Sequence, residues 1–276
     1  MAPMTMTSGL AIVTGASSGI GAALARQLSA RGQPVLAIGR RAQRLEELSA
    51  QARAAGHAPI HPLELDVTAE GAALRVRDRA RALGGAAWLV NNAGTTRLGP
   101  FLDGDPAAQA MLVRLNCESV VALCAAIVPD LVARGGGRVI NVASLAAFQP
   151  TPGQAVYGAT KAFVLSISES LSVELDGTGV TVTALCPGPV TTEIFEAAAP
   201  GVPRRKVPFE LTAEGCAAYG IAAADRGDVV AVPTVLSKAT AQLSRLLPRA
   251  TIRWLSSRIG LSFLGYGAPP RRGARR

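Results

Sequence analysis

Lysine is almost missing from this chain: Lys161, Lys206 and Lys238 stand against 25 arginines in 276 residues. Histidine occurs twice, aromatic side chains make up 4% of positions, and cysteine occurs four times. The histidines, His57 and His61, flank Pro59 and precede Pro62 in "HAPIHP", so they share no helix face and no metal site is expected. Cys117, Cys124, Cys186 and Cys216 show no CxxC spacing and read as reduced core thiols of a cytoplasmic protein. The longest apolar run, "VVALCAAIVP", is well short of the roughly 20 residues a membrane span takes. "MAPMTMTSGL" has neither a basic stretch nor an apolar core, so no signal peptide is expected.

Acid is missing too, but only locally. From Val229 onward one lysine and eight arginines meet no Asp or Glu, whereas upstream nineteen basic groups balance nineteen acidic ones. The body is electrically neutral and the tail basic, which disfavours a body that binds nucleic acid diffusely.

What is present is apolar surface in short, regular parcels. Hydrophobic residues reach 49% and mean hydropathy is +0.29, ample for a large core. Strand-like runs ("LAIVTG", "PVLAIG", a strand within "APIHPLELDV", "AWLVNNAG", "GRVINVAS", "GVTVTALCPG", "VVAVP") alternate with helical segments at about 19–31, 40–56, 69–83, 106–134 and 155–176. Runs this apolar suit strands covered on both faces. The pattern predicts a single-domain α/β fold, a doubly wound Rossmann-type parallel sheet of about seven strands, with ligands at the strands' C-terminal ends. Residues 1–234 are expected to form the body of the fold, with an irregular, proline-rich loop at about 189–208 containing "RRK" that reads as a substrate lid or else as a mobile surface loop. Residues 235–268 are a basic amphipathic extension of the same domain, and 269–276 are expected to be disordered.

"TGASSGIG" (14–21) joins the first strand to the first helix. Gly15 permits the turn, Gly19 lets backbone approach a phosphate, and Gly21 allows close helix packing, while the helix N-terminus offers free N–H groups to a pyrophosphate. In "YGATK" a phenol and one of the three ammonium groups, Tyr157 and Lys161, sit one helical turn apart on one face.

Together with "NNAG" (91–94), Ser144 thirteen residues before Tyr157, and "PG" (187–188), these motifs resemble the short-chain dehydrogenase/reductase family in order and spacing, over about residues 8–232. The resemblance implies hydride transfer between a nicotinamide cofactor and a ketone or secondary alcohol. Tyr157 is then the general acid/base, Lys161 its electrostatic partner and holder of the ribose, and Ser144 a donor to the substrate oxygen. Lys161 and the oxidised cofactor are expected to lower the tyrosine's pKa. A capping or turn role is the alternative for Ser144. Asn116, in "RLNCES", matches a helix-kinking asparagine that anchors a water relay to the lysine. Asn91 matches a residue that stabilises the sheet near the cofactor.

Further cofactor contacts implied by the resemblance are Ser17, Ser18 and Ile20 in the turn, and Asp66 and Val67 at the adenine. Asn92, Ala93 and Gly94 follow strand four, and Pro187, Gly188, Val190 and Thr192 follow strand six. Asp66 could otherwise cap the third helix, in competition with Thr68. Gly39, Arg40 and Arg41 end the second strand, where an acidic residue would favour NAD. Glycine leaves room for a 2′-phosphate and a guanidinium can bind it bidentately, so NADP(H) is expected, with Arg40 the main contact. Two solvated arginines are the alternative, although cations at a helix N-terminus oppose its dipole and ask for an anion.

Leu145, Ala146, Phe148 and Gln149, with Thr95–Leu98, Gly188 and the lid, are expected to line the substrate pocket. Few charges fall there, which points to a bulky, mostly apolar ketone: a steroid, an aromatic ketone or an acyl chain. The tail departs from family members that end on a "VDGG"-like strand and is similar to a subgroup of acyl-chain, steroid and broad-range ketone reductases. Its arginines at 245, 249, 253 and 258 run beside an apolar face broken at Pro248. Three uses are open: a helical pair over the pocket or against a second subunit, peripheral contact with anionic lipid, or nucleic-acid binding. A homodimer or homotetramer is expected. An idle cofactor-sensing or scaffold protein, and a membrane-surface protein acting through its tail, are the alternatives to an enzyme.

Overall fold

The apolar runs become the strands of one sheet, because parallel strands covered on both faces must be apolar along their length. In the computed structural model of the chain, the structure describes residues 9–193 and 210–263, with side chains in the last helix as far as Arg258. Seven parallel strands, β1 (Leu10–Thr14), β2 (Val35–Gly39), β3 (Ile60–Glu64), β4 (Ala86–Asn91), β5 (Gly137–Val142), β6 (Val180–Leu185) and β7 (Val230–Ala231), lie in the order β3-β2-β1-β4-β5-β6-β7. The order reverses between β1 and β4, and that switch opens a crevice at the strands' C-terminal ends. Pro62 sits in β3, an edge strand, where a missing N–H is tolerated.

Helices α1 (Gly19–Ala30) and α2 (Ala42–Ala54) cover one face with α7 (Ala213–Arg226); α3 (Ala72–Ala82), α5 (Ser119–Ala133) and α6 (Ala155–Glu174) cover the other. Two apolar layers result, one holding Val13, Leu24, Leu28 and Ala217, the other Ile12, Leu89, Ile127 and Leu131. The segment Pro106–Ala133 is long and apolar enough to cross a membrane by composition, but half of its most apolar window is buried in the protein, where α5 packs on the sheet.

Several boundaries differ from the sequence reading. Helix α3 starts at Ala72 rather than 69, because Asp66 accepts from both the N–H and the hydroxyl of Thr68 and holds that segment in a turn. The expected helix at 106–134 is α4 (Pro106–Val113), a π-helical turn at Arg114–Glu118 and α5 in succession. After β7 come α8 (Val235–Leu246) and α9 (Arg249–Phe263), broken at Pro248 as expected. Most of the expected lid, including "RRK", and the 269–276 tail lie outside the described residues.

Candidate active site

The glycine-rich turn is built for backbone proximity. Gly15 and Gly19 hold φ of +66° and +54°, a region side chains other than glycine rarely occupy. A Cβ on Gly15 would stand 2.8 Å from Asn92 Nδ2 and 2.9 Å from Ala93 Cα, so the turn is pressed directly against the end of β4. Asn92 fastens it by donating to the Thr14 carbonyl at 2.9 Å, and the Thr14 hydroxyl accepts from the N–H groups of Asn92 and Ala93 at 3.0 Å each. Ser18 is the N-cap of α1 but makes no side-chain cap bond, and no acid sits in the first turn. That end of the helix is chemically suited to an anion.

Four predicted residues converge at the ends of β4 and β5. Asn116, fully buried in the π-helical turn, donates to Thr95 O and Thr160 Oγ1 at 3.0 Å each and accepts from Thr95 N at 3.1 Å. An asparagine is a poor helix former, and here the wider turn frees its amide to tie the β4 loop to α6. Lys161 is buried and donates to Val142 O at 2.7 Å, with its ammonium 5.7 Å from the centroid of the Tyr157 ring. A Cβ on Gly94 would stand 3.2 Å from Asn116 Oδ1 and 3.6 Å from Lys161 Nζ, so glycine keeps that approach open.

Ser144 does act as a cap: its hydroxyl accepts from Ala146 N at 3.1 Å and starts the short turn Leu145–Phe148. It also hydrogen-bonds the Tyr157 phenol. The two roles are compatible, because a hydroxyl that accepts from backbone still has its own proton to donate.

Without the cofactor's charge, the protein's own groups push both the Tyr157 and Lys161 side chains toward their neutral forms. Burial pushes the Tyr157 phenol above its ordinary value, and the Ser144 hydrogen bond only partly opposes this. Burial also depresses Lys161, to about 8. Desolvation outweighs mutual attraction because the ammonium is directed at the Val142 carbonyl rather than at the phenol oxygen. The protein groups alone therefore keep Tyr157 protonated near neutrality, the form a proton donor needs.

At the end of β2 the predicted arginines divide. Arg40 is three-quarters exposed and lies 3.8 Å from Asp66, whose carboxyl Thr68 holds below the usual range. Arg41 instead reaches the glycine turn, donating to Ser17 Oγ at 3.1–3.2 Å and to Ser18 Oγ at 2.5 Å. Its remaining nitrogen meets Glu193 Oε2 at 2.9 Å, and Arg44 meets Glu193 Oε1 at 2.6 Å. Arg44 and Glu193 were absent from the sequence reading. The call for an anion at the start of α2 was legible in the two arginines, but its source 149 residues away was not.

The remaining predicted residues lie near the C-terminal ends of the strands. Pro187 O accepts from Leu145 N at 2.8 Å, Val190 bridges to Leu211, and the Thr192 methyl would lie 3.1 Å from a Cβ on Gly19. Asn91 turns away to β5, donating to Asn141 Oδ1 at 2.8 Å. Ile20 and Val67 pack against the two apolar layers. A Cβ on Gly188 would stand 2.8 Å from Ser237 Oγ, so α8 closes over this loop. Arg245 of α8 lies 5.6 Å from the Phe148 ring centroid and 3.2 Å from Glu169. Helix α8 thus packs against the turn that follows β5.

A cavity of about 230 Å³ opens beside Tyr157, lined among others by Arg97, Leu98, Phe101, Asp103, Gln109 and Gln154. Arg97 and Leu98 were expected there. Leu145 and Phe148 are not among its walls, because their turn faces α8. The lining is also more polar than the sequence suggested.

The short chain dehydrogenase family model matches residues 9–202. Sulfoacetaldehyde reductase 2 of Chromohalobacter salexigens is 38% identical over 193 residues, 67% of this chain and 74% of that protein. A short-chain dehydrogenase from Sphingobium yanoikuyae in complex with NADPH superposes with a TM-score of 0.77 at 31% identity, covering 88% of this chain and 97% of the other. The bulky-bulky ketone specific alcohol dehydrogenase from Comamonas testosteroni gives 0.73 at 28% identity, covering 89% and 97%.

Proposed function

This chain belongs to the short-chain dehydrogenase family of oxidoreductases, and from that premise we propose that it is an NADP(H)-dependent carbonyl reductase acting through Tyr157. The observation that carries this reading is the clustering of Ser144, Lys161 and Tyr157: Ser144 hydrogen-bonds the phenol, the Lys161 ammonium lies 5.7 Å from the ring centroid, and Tyr157 borders a cavity of about 230 Å³. The Gly15, Gly19 and Gly94 approaches fit a dinucleotide, whose nicotinamide supplies or takes the hydride when bound. Tyr157 gives its proton to the substrate oxygen in reduction and takes it back in oxidation. Ser144 donates to that same oxygen as charge grows on it. Lys161 holds positive charge beneath the phenol below about pH 8. Asn116 holds the β4 loop and α6 at fixed separation.

The preference for NADP(H) is supported by Gly39 and by Arg41 on the Ser17 and Ser18 hydroxyls. Arg41→Ala is expected to weaken NADPH about ten-fold more than NADH, the worth of one charge-assisted contact. Arg40→Ala is expected to have the smaller effect. Equal losses for both cofactors on Arg41→Ala would remove the assignment; fluorescence titration of each cofactor measures it.

For the substrate, we favour a bulky ketone, as the Comamonas neighbour's specificity supports. Arg97 on the cavity wall, with the sulfoacetaldehyde reductase relative, favours a second reading, a small anionic aldehyde. Following NADPH absorbance with aromatic ketones, steroid ketones and sulfonated or carboxylated aldehydes separates the two. No oxidation of NADPH or NADH with any member of the panel would count against the enzyme reading itself. We also propose a cytoplasmic homo-oligomer, to be checked by light scattering and fractionation.

A further inference from the structure

Glu193 is the one carboxylate bound to both Arg41 and Arg44 among the described ion pairs, and it comes from the loop after β6, far from either in sequence. Its two oxygens are divided between the guanidinium groups, at 2.9 and 2.6 Å, and Arg44 first, then Arg41, hold its carboxyl below the usual range. The same Arg41 spans the hydroxyls of Ser17 and Ser18. Gly39 closes the group from the β2 side: a Cβ there would stand 3.3 Å from Ser17 Oγ. Two guanidinium donors thus meet one anion position, and two hydroxyls hold the other edge of Arg41, at the end of β2, where a doubly wound sheet meets the adenosine ribose. A 2′-phosphate and the Glu193 carboxylate ask for the same donors.

We propose that Glu193 is a specificity-determining residue that competes internally with the cofactor's 2′-phosphate for Arg41 and Arg44, and so sets how strongly the enzyme favours NADP(H) over NAD(H). This rests on the NADP(H) reading above. Arg41, Arg44 and Glu193 are each close to half exposed, and exposed ion pairs are individually weak, so the carboxylate acts as a displaceable competitor rather than a block. The step is an exchange of hydrogen-bond acceptors, with no covalent change.

The test is calorimetric binding of 2′,5′-ADP and of ADP to the full chain, wild type against Glu193→Gln and Glu193→Ala. Both variants are expected to bind 2′,5′-ADP about five-fold more tightly, the worth of two exposed pairs, with ADP within two-fold of wild type. Unchanged or weaker 2′,5′-ADP binding in both variants overturns the proposal. So does a selective loss of ADP binding, which would make the carboxylate an acceptor for ribose hydroxyls. Wild-type protein that binds ADP as tightly as 2′,5′-ADP would refute the NADP(H) reading instead. Variants that still gain affinity for the phosphorylated probe would then leave the role of Glu193 standing.

Discussion

Tyr157→Phe is expected to lower turnover by two to four orders of magnitude while leaving NADPH binding within about two-fold, the range a positioned acid–base group contributes. The substitution removes one oxygen and no packing surface. The ring that faces Lys161 is retained by Phe. Ser144 keeps its bond from Ala146 N, so the turn after β5 stays capped. A fall in kcat with unchanged KM and unchanged cofactor affinity is the expected signature. Turnover within ten-fold of wild type would show that another group supplies the proton.

The fold was legible because each strand is an uninterrupted apolar run bounded by glycine or a polar turn, and that composition suits a sheet covered on both sides. Gly15 and Gly19 marked the cofactor turn through the positive φ they alone take readily. The spacing of Tyr157 and Lys161 marked a shared helix face. Helix α7 escaped the reading, although Thr212 caps it by accepting from Gly215 N and Gly227 ends it in a left-handed conformation, both ordinary boundary signals. Arg44 and Glu193 were missed because long-range ion pairs leave no local pattern. A spacing on a helix gives adjacency but not burial, which is why the upward push of burial on the Tyr157 phenol in the protein alone was not legible.

Lys161→Met carries the other large expectation, and its two effects oppose each other. On the proposed function, turnover should fall by at least two orders of magnitude with the loss of positive charge beside the Tyr157 ring. Stability should rise. Burial lowers Lys161 from 10.5 in an exposed state to about 8, so the folded state holds its proton less tightly than the unfolded chain. Between pH 8 and 10.5 the unfolded chain binds more protons, and stability therefore rises with pH across that window. Below pH 8 the full penalty applies, about 3 kcal/mol on this shift. Methionine fills nearly the same volume with no charge to desolvate, but leaves Val142 O without its donor at a cost of about 1–2 kcal/mol. A net gain of about 1–2 kcal/mol at pH 7 corresponds to a few degrees in Tm for a chain of this size. Denaturation at pH 7 and at pH 10 tests the sign: the variant's advantage over wild type should shrink at the higher pH, where the native lysine is already neutral. A gap that widens instead would mean the ammonium is stabilised where it lies, and that Lys161 is held for the fold rather than kept, at a cost to the fold, for the chemistry of Tyr157.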